Sequence, residues 1–192
     1  IVTAAVQEFA AVGYDGATLT AVAARCESSE ALLYRYFPSK AALYAFAVQE
    51  SLDALSLYIQ RLSEAVPAGS SARDRVQAGL VARLEFTATD PLLRATRRGA
   101  AAQEPRESLA VRRAHRAAEV EVLTTYLQPQ PGARYRFALE GFLGFTDAAL
   151  DLWVLGGCTD DERWPLIEAC LGCLEGALGD ADSAVEESYS EA

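Results

Sequence analysis

The sequence predicts an all-α protein in which a small amino-terminal module of three short helices is joined by one long helix to a helical bundle. Three observations predict it. Seven prolines, at 38, 67, 91, 105, 129, 131 and 165, cut the 192 residues into Ala- and Leu-rich segments of helical length without β-branched runs. Within the segments, apolar residues recur every three or four positions. Hydroxyl residues stand at segment starts, where a side-chain oxygen accepts an orphan backbone N–H.

Val2, Ala5, Val6 and Phe9 form the inner stripe of a first helix, which is expected to end near Gly13 because glycine adopts the left-handed terminal conformation cheaply. Thr18 caps a short second helix with Leu19, Val22 and Ala23 inside, and Ser28 or Ser29 caps a third. The third helix would bury Leu32 or Leu33 with Tyr36 and Phe37 before Pro38 stops it, and Ser39 is placed to cap a fourth. From Val48, the residues Leu52, Leu55, Ile59 and Leu62 alternate spacings of four and three, so the fourth helix runs well past 50 before Pro67 and the Ala-Gly-Ser-Ser turn. Further helices are expected at about 72–89, 92–102, 105–128, 133–156 and 162–179. The organisation is then a helix-turn-helix domain over 1–47, a helical domain over 48–179 and an acidic, disordered tail over 180–192.

Composition narrows the function classes. With 51% hydrophobic and 23% charged residues, collagen, a disulfide scaffold and wholesale disorder are excluded. A chain of this length buries roughly 70% of its unfolded surface, so its core needs no metal or cofactor, and none is expected. The longest apolar stretches are interrupted by Asp147, Asp151, Glu168 and Glu175, which argues against a membrane span. Cysteines 26, 158, 170 and 173 are too few and too scattered for a secreted framework, so a reducing cytoplasm is the expected compartment. The net charge of −10 argues against nonspecific coating of nucleic acid; any DNA binding must be local and directed.

Two short helices joined by a tight turn, backed by a preceding helix, can present one helix to the DNA major groove. Phe9, Gly13-Tyr14, Thr18, Val22-Ala23, Ser29, Leu33-Tyr34, Tyr36-Phe37, Ser39-Lys40 and Leu43 carry this pattern, and together they resemble the amino-terminal signature of the TetR family of transcriptional regulators. The resemblance covers about a quarter of the chain. It implies that Ser29 to Tyr36, including Glu30, Ala31 and Leu32, is the recognition helix, and that Tyr34 and Lys40 contact phosphate without sequence preference. Arg35 would read guanine, and Tyr36 either faces the groove or joins the core. Thr18 and Ser29 either cap their helices or also donate to the DNA backbone. Two departures stand out: Glu27 occupies the turn position that usually holds glycine, and Glu30 places a carboxylate near phosphates, where it either accepts from cytosine or points aside. Residues 1–50 hold Arg25, Arg35 and Lys40 against Glu8, Asp15, Glu27, Glu30 and Glu50, a net −2, and in the family a basic arm commonly precedes the position of Ile1. Since the sequence starts at Ile1 rather than Met, such an upstream arm is expected.

The resemblance further implies a homodimer formed by the last two long helices, an enclosed small-molecule pocket, and release of a double-stranded DNA operator by the effector. Phe137, Leu150, Leu166, Cys170, Cys173, Leu174 and Ala177 are the candidate dimer seam, and Phe86, Leu93, Phe142, Phe145 and Trp153 the candidate pocket. Cys170 and Cys173 form a C-x-x-C, read first as small buried hydrophobes because no strand precedes them. Arg94, Arg97, Arg98, Arg112, Arg113 and Arg116, near the only histidine, His115, read as a solvated face laced with Glu107, Glu119 and Glu121, or else as a site for an anionic effector. Glu140, Asp147 and Asp151 read as a polar face of one helix. The expected function is a palindrome-binding repressor released by a hydrophobic or amphipathic effector. The alternative is a helical sensor or enzyme whose acidic front no longer binds DNA, although no H-E-x-x-H, G-x-S-x-G or phosphate loop supplies machinery for catalysis.

Overall fold

A computed structural model describes residues 1–100, 104–128 and 132–179. The helices run in chain order as α1 (Val2–Gly16), α2 (Leu19–Arg25), α3 (Glu30–Tyr36), α4 (Lys40–Glu64), α5 (Ala72–Thr89), α6 (Pro91–Ala95), α7 (Arg106–Leu127), α8 (Ala133–Leu155) and α9 (Arg163–Leu178), with a π-helical turn over Thr96–Ala100 after α6. No strand occurs among the described residues. The tail expected over 180–192 lies outside them.

Local chemistry accounts for most boundaries. Thr18, Ser29 and Ser39 accept from the backbone N–H three residues on, at 3.1, 3.2 and 3.1 Å, and Ser71 forms a full capping box with Asp74. Two expectations need correcting. Gly13 kinks α1 with φ 73° and ψ 175° rather than ending it, and the helix resumes to Gly16. The single helix expected over 92–102 is instead a five-residue α6, capped by Asp90, that passes into the π-helical turn. There the buried Thr96 hydroxyl donates back to the Leu93 carbonyl, and Arg97 is drawn across to α8.

The chain builds two cores. The first gathers Phe9, Val22, Leu33, Leu43, Tyr44 and Val48 with Leu52 and Leu55 further along α4, and it takes in Leu92 and Leu93 from α6. The second gathers Val76, Leu80 and Leu84 of α5 with Leu139, Phe142, Leu150 and Trp153 of α8 and Ile167, Leu171 and Leu174 of α9. α4 and α6 therefore link the front module to the rear: movement of α6 is felt directly in the core beneath α1.

Candidate nucleic-acid interface and inner cavity

α2 and α3 are joined by Cys26 to Ser28, with Glu27 in the left-handed region at φ 51° and the Ser28 N–H donating to the Ala23 carbonyl at 2.9 Å. Glu27 thus takes the conformation for which glycine is the usual choice, at a cost of roughly 1 kcal/mol. Leu33, 0% exposed, anchors α3 in the front core. On its outer side Ala31, Leu32, Tyr34, Arg35 and Tyr36 are exposed, so of the two leucines offered for the core Leu33 is the one that enters it, and Tyr36, 63% exposed, does not join it as expected. Among the described residues, Tyr34, Arg35 and Tyr36 make no hydrogen bond or ion pair, so their polar tips are available to an outside partner.

The other charged residues of the module are spent internally. Arg25 Nε lies 2.6 Å from the buried Glu8 carboxylate, tying α2 to α1. The Thr20 hydroxyl donates to Glu30, which turns that carboxylate back onto α2. Lys40 Nζ donates to the carbonyls of Tyr14 (2.8 Å), Ala17 (3.1 Å) and Asp15 (3.4 Å) and sits 4.4 Å from the Tyr14 ring centroid. Its ammonium closes the carboxyl end of α1, where carbonyls and dipole favour a cation. Sequence reasoning missed this use of Lys40 because the carbonyls it meets lie more than twenty residues upstream. Of the three bases counted in this segment, Arg35 keeps its charge free.

Between α4, α5, α7 and α8 lies a cavity of about 460 Å³. Its walls are Ile59, Val76, Leu80, Leu123, Phe142 and Leu143; Gln60, Glu64, Arg75, Thr125 and Tyr126 also line it. Of the five expected pocket residues only Phe142 lines it. Leu93 belongs to the front core and Phe86 packs against it, Phe145 is exposed, and Trp153 is buried with its indole N–H on the Thr159 carbonyl at 2.9 Å. An open cleft of about 910 Å³ lies between α1 and α6, with Arg94 and Arg98 on its wall.

The arginine-rich middle divides: Arg98 and Arg113 are exposed, as a solvated face would have them, whereas Arg97, Arg112 and Arg116 turn inward to carboxylates. Arg83, pushed down to about 10 by burial, closes on Glu119 inside the cavity wall. Arg97 bonds Asp147 (2.9 Å) and Asp151 (2.7 Å), Arg116 bonds Asp147 (2.6 Å), and Arg112 bonds Glu104 (2.6 Å). Burial would raise the Asp147 carboxyl, but Arg97 and its fellow arginines hold it below the usual carboxylate range. Glu104 also accepts from Tyr44 Oη of α4 at 2.9 Å, connecting the front core to α7. His115, 3.3 Å from a Glu119 oxygen, is nevertheless held down at about 4, first by burial and then by Arg83, to which Glu119 is already committed. No cluster of metal-ligating groups occurs among the described residues.

The candidate seam divides by face. Leu150, Cys170 and Leu174 are closed in the rear core, so they cannot bury further area against a second chain, whereas Leu166, Cys173 and Ala177 are half-buried and Phe137 is 66% exposed. The outer face of α8 carries Phe137, Gly141, Phe145, Ala148, Leu152 and Leu155, with Leu152 exposed to 73%, and α9 adds Trp164, Gly172 and Gly176. A side chain added at Gly141, Gly172 or Gly176 would meet nothing within 4 Å, so these outer positions lie open.

A capped turn that holds one bare-sided helix against a core, on a helical domain with a half-open cavity, is the arrangement by which helix-turn-helix proteins present a helix to DNA. Residues 1–46 match the model of bacterial regulatory proteins of the tetR family, so the amino-terminal domain is similar to the DNA-binding domain of that family. Solved structures share the fold over nearly the whole chain. A tetR-family transcriptional regulator from Streptomyces coelicolor is 21% identical, with a TM-score of 0.70 over 92% of this chain and 76% of that one. The fatty acid degradation regulator FadR from Bacillus halodurans is 18% identical, with a TM-score of 0.71 over 89% and 92%. FadR from Bacillus subtilis, solved with stearoyl-CoA, is 18% identical, with a TM-score of 0.68 over 93% and 96%. No curated protein matches the chain. No helix of the described residues is long and apolar enough to cross a membrane.

Proposed function

We propose that the protein is a cytoplasmic, homodimeric repressor that binds a palindromic operator through α3 and is released from it by a small molecule held in the 460 Å³ cavity. The observation that carries the reading is the outer side of α3, where Tyr34, Arg35 and Tyr36 are exposed and uncommitted while Leu33 fixes the helix from behind. Arg35 offers the two-pronged donor that reads guanine, and the tyrosine hydroxyls and the starts of α2 and α3 at Thr18 and Ser29 position the backbone. The apolar outer faces of α8 and α9, with glycines that permit close approach, suit a two-fold seam that sets two α3 helices roughly 34 Å apart. A ligand that prefers one packing of α4, α5, α7 and α8 shifts α6 and α4, and so lowers operator affinity by linkage.

Selection of bound duplexes from a random pool at two salt concentrations tests this. An enriched palindrome whose binding weakens steeply with salt is the expected result. Absence of enrichment at low salt overturns it and favours a sensor whose front module no longer binds DNA.

A further inference from the structure

The charge state of the cavity restricts what it accepts. Resting on the reading of this cavity as the effector site, we propose that the effector is an uncharged amphipathic molecule, an aliphatic alcohol, ester or ketone, and not a carboxylate or a phosphorylated thioester. Three observations converge on this class. First, the buried cation of the wall, Arg83, is already closed on Glu119, and its neighbours Arg97, Arg112 and Arg116 are each paired with Asp147, Asp151 or Glu104. An anionic head that captured Arg83 would strand Glu119 as an unpaired buried charge, beside a His115 that stays neutral at ordinary pH. Second, the other charged residues of the lining are Glu64, whose carboxylate accepts from Gln60, and Arg75, whose Nη1 donates to the Ser63 carbonyl at 3.3 Å; together they add no net positive charge to receive a polyphosphate on a chain of net charge −10. Third, Thr146 lines the cavity at 1% exposure, and its hydroxyl meets only the Cys170 thiol, a weak partner, with no oxygen or nitrogen partner. Burial pushes the Cys170 thiol up, and its contact with the Thr146 hydroxyl only partly offsets this, so the hydroxyl still gains from a stronger partner. A ligand hydroxyl or carbonyl there completes the Thr146 hydroxyl while its chain lies along Leu80, Leu123 and Phe142.

Calorimetric titration of the full chain with decanol, methyl decanoate, decanoate and decanoyl-CoA, on the wild type and on Thr146→Val, tests the proposal, with operator release followed in parallel. The expected result is that decanol and methyl decanoate bind about tenfold or more tighter than either charged compound. Thr146→Val should lose about tenfold in decanol affinity with little change in its melting temperature, since without ligand the hydroxyl meets only the weakly bonding Cys170 thiol. Equal or tighter binding of decanoate or decanoyl-CoA overturns the ligand class, and if it releases the operator the effector reading stands without it. Unchanged decanol affinity in Thr146→Val overturns the anchoring role and the proposal with it. Absence of binding by all four compounds overturns both the class and the effector reading.

Discussion

The front module and the rear domain treat their polar groups differently. In the front, Glu8 has Arg25, Glu30 has Thr20, Lys40 has three carbonyls, and the starts of α2, α3 and α4 each have a hydroxyl; Ser28 Oγ is the one buried polar side-chain atom before Thr87 without a partner among the described residues. In the rear, the buried Thr87 hydroxyl has no partner among the described residues, and the Thr146 hydroxyl on the cavity wall meets only the Cys170 thiol. A closed network gives the front a single rigid presentation of α3, as a reading head needs. The incompletely satisfied rear can be completed by a molecule it does not contain, and that is a physical basis for sensing.

The largest expected break in this contrast is in the rear. Glu119→Gln leaves Arg83 as an uncompensated buried cation and should cost about 3–5 kcal/mol in urea unfolding, whereas the double change Arg83→Met with Glu119→Leu should recover most of that loss. Next is acid. Folded His115 titrates at about 4 against 6.5 for the free side chain, so the unfolded state takes up the extra proton. Stability contributed by the neutral ring is full above pH 6.5 and is lost as pH falls toward 4, about 2 kcal/mol between pH 7 and 5, and His115→Gln should flatten that slope.

The front yields smaller and separable effects. Arg35→Ala should cost about 1–3 kcal/mol of operator discrimination and leave the melting temperature unchanged, because nothing in the chain holds its guanidinium. Lys40→Ala should do the opposite in part, lowering stability by about 1 kcal/mol by opening the carboxyl end of α1, with any loss of DNA affinity following from that loosening. Equal effects of the two changes on melting and on DNA binding would erase the distinction between a reading residue and a positioning one.

The same contrast explains what was legible in the sequence. The front was readable nearly residue by residue because its determinants are local: a hydroxyl three residues before the N–H it accepts from, a leucine one turn from the next, a proline after Phe37. Glu27 could be flagged as strained from its place in the turn, and it adopts a left-handed φ. Lys40 was placed at the right helix start, yet its partners come from a helix whose exit angle depends on the Gly13 kink. In the rear, aromatic type was a poor guide to the cavity, because four helices converge on it and its walls are mostly Leu, Val and polar residues whose meeting leaves no periodic trace. The seam misled for a related reason. α8 and α9 are apolar on two sides, and the outer side is rich in Gly and Ala, small residues that a hydrophobicity pattern underweights beside Leu150 and Leu174. The inward half of the arginine-rich middle could not be read, because Asp147, the partner of Arg116, lies 31 residues further on.

The most direct test of the central claim, that the bare side of α3 reads DNA while the rest of the module only holds it, is fluorescence anisotropy of the selected duplex with wild type and Arg35→Ala at two salt concentrations. The account predicts sequence-specific binding by the wild type that weakens with salt, and a loss of about tenfold or more in Arg35→Ala at unchanged melting temperature. Undiminished affinity in Arg35→Ala, or no specific binding by the wild type at low salt, would contradict it.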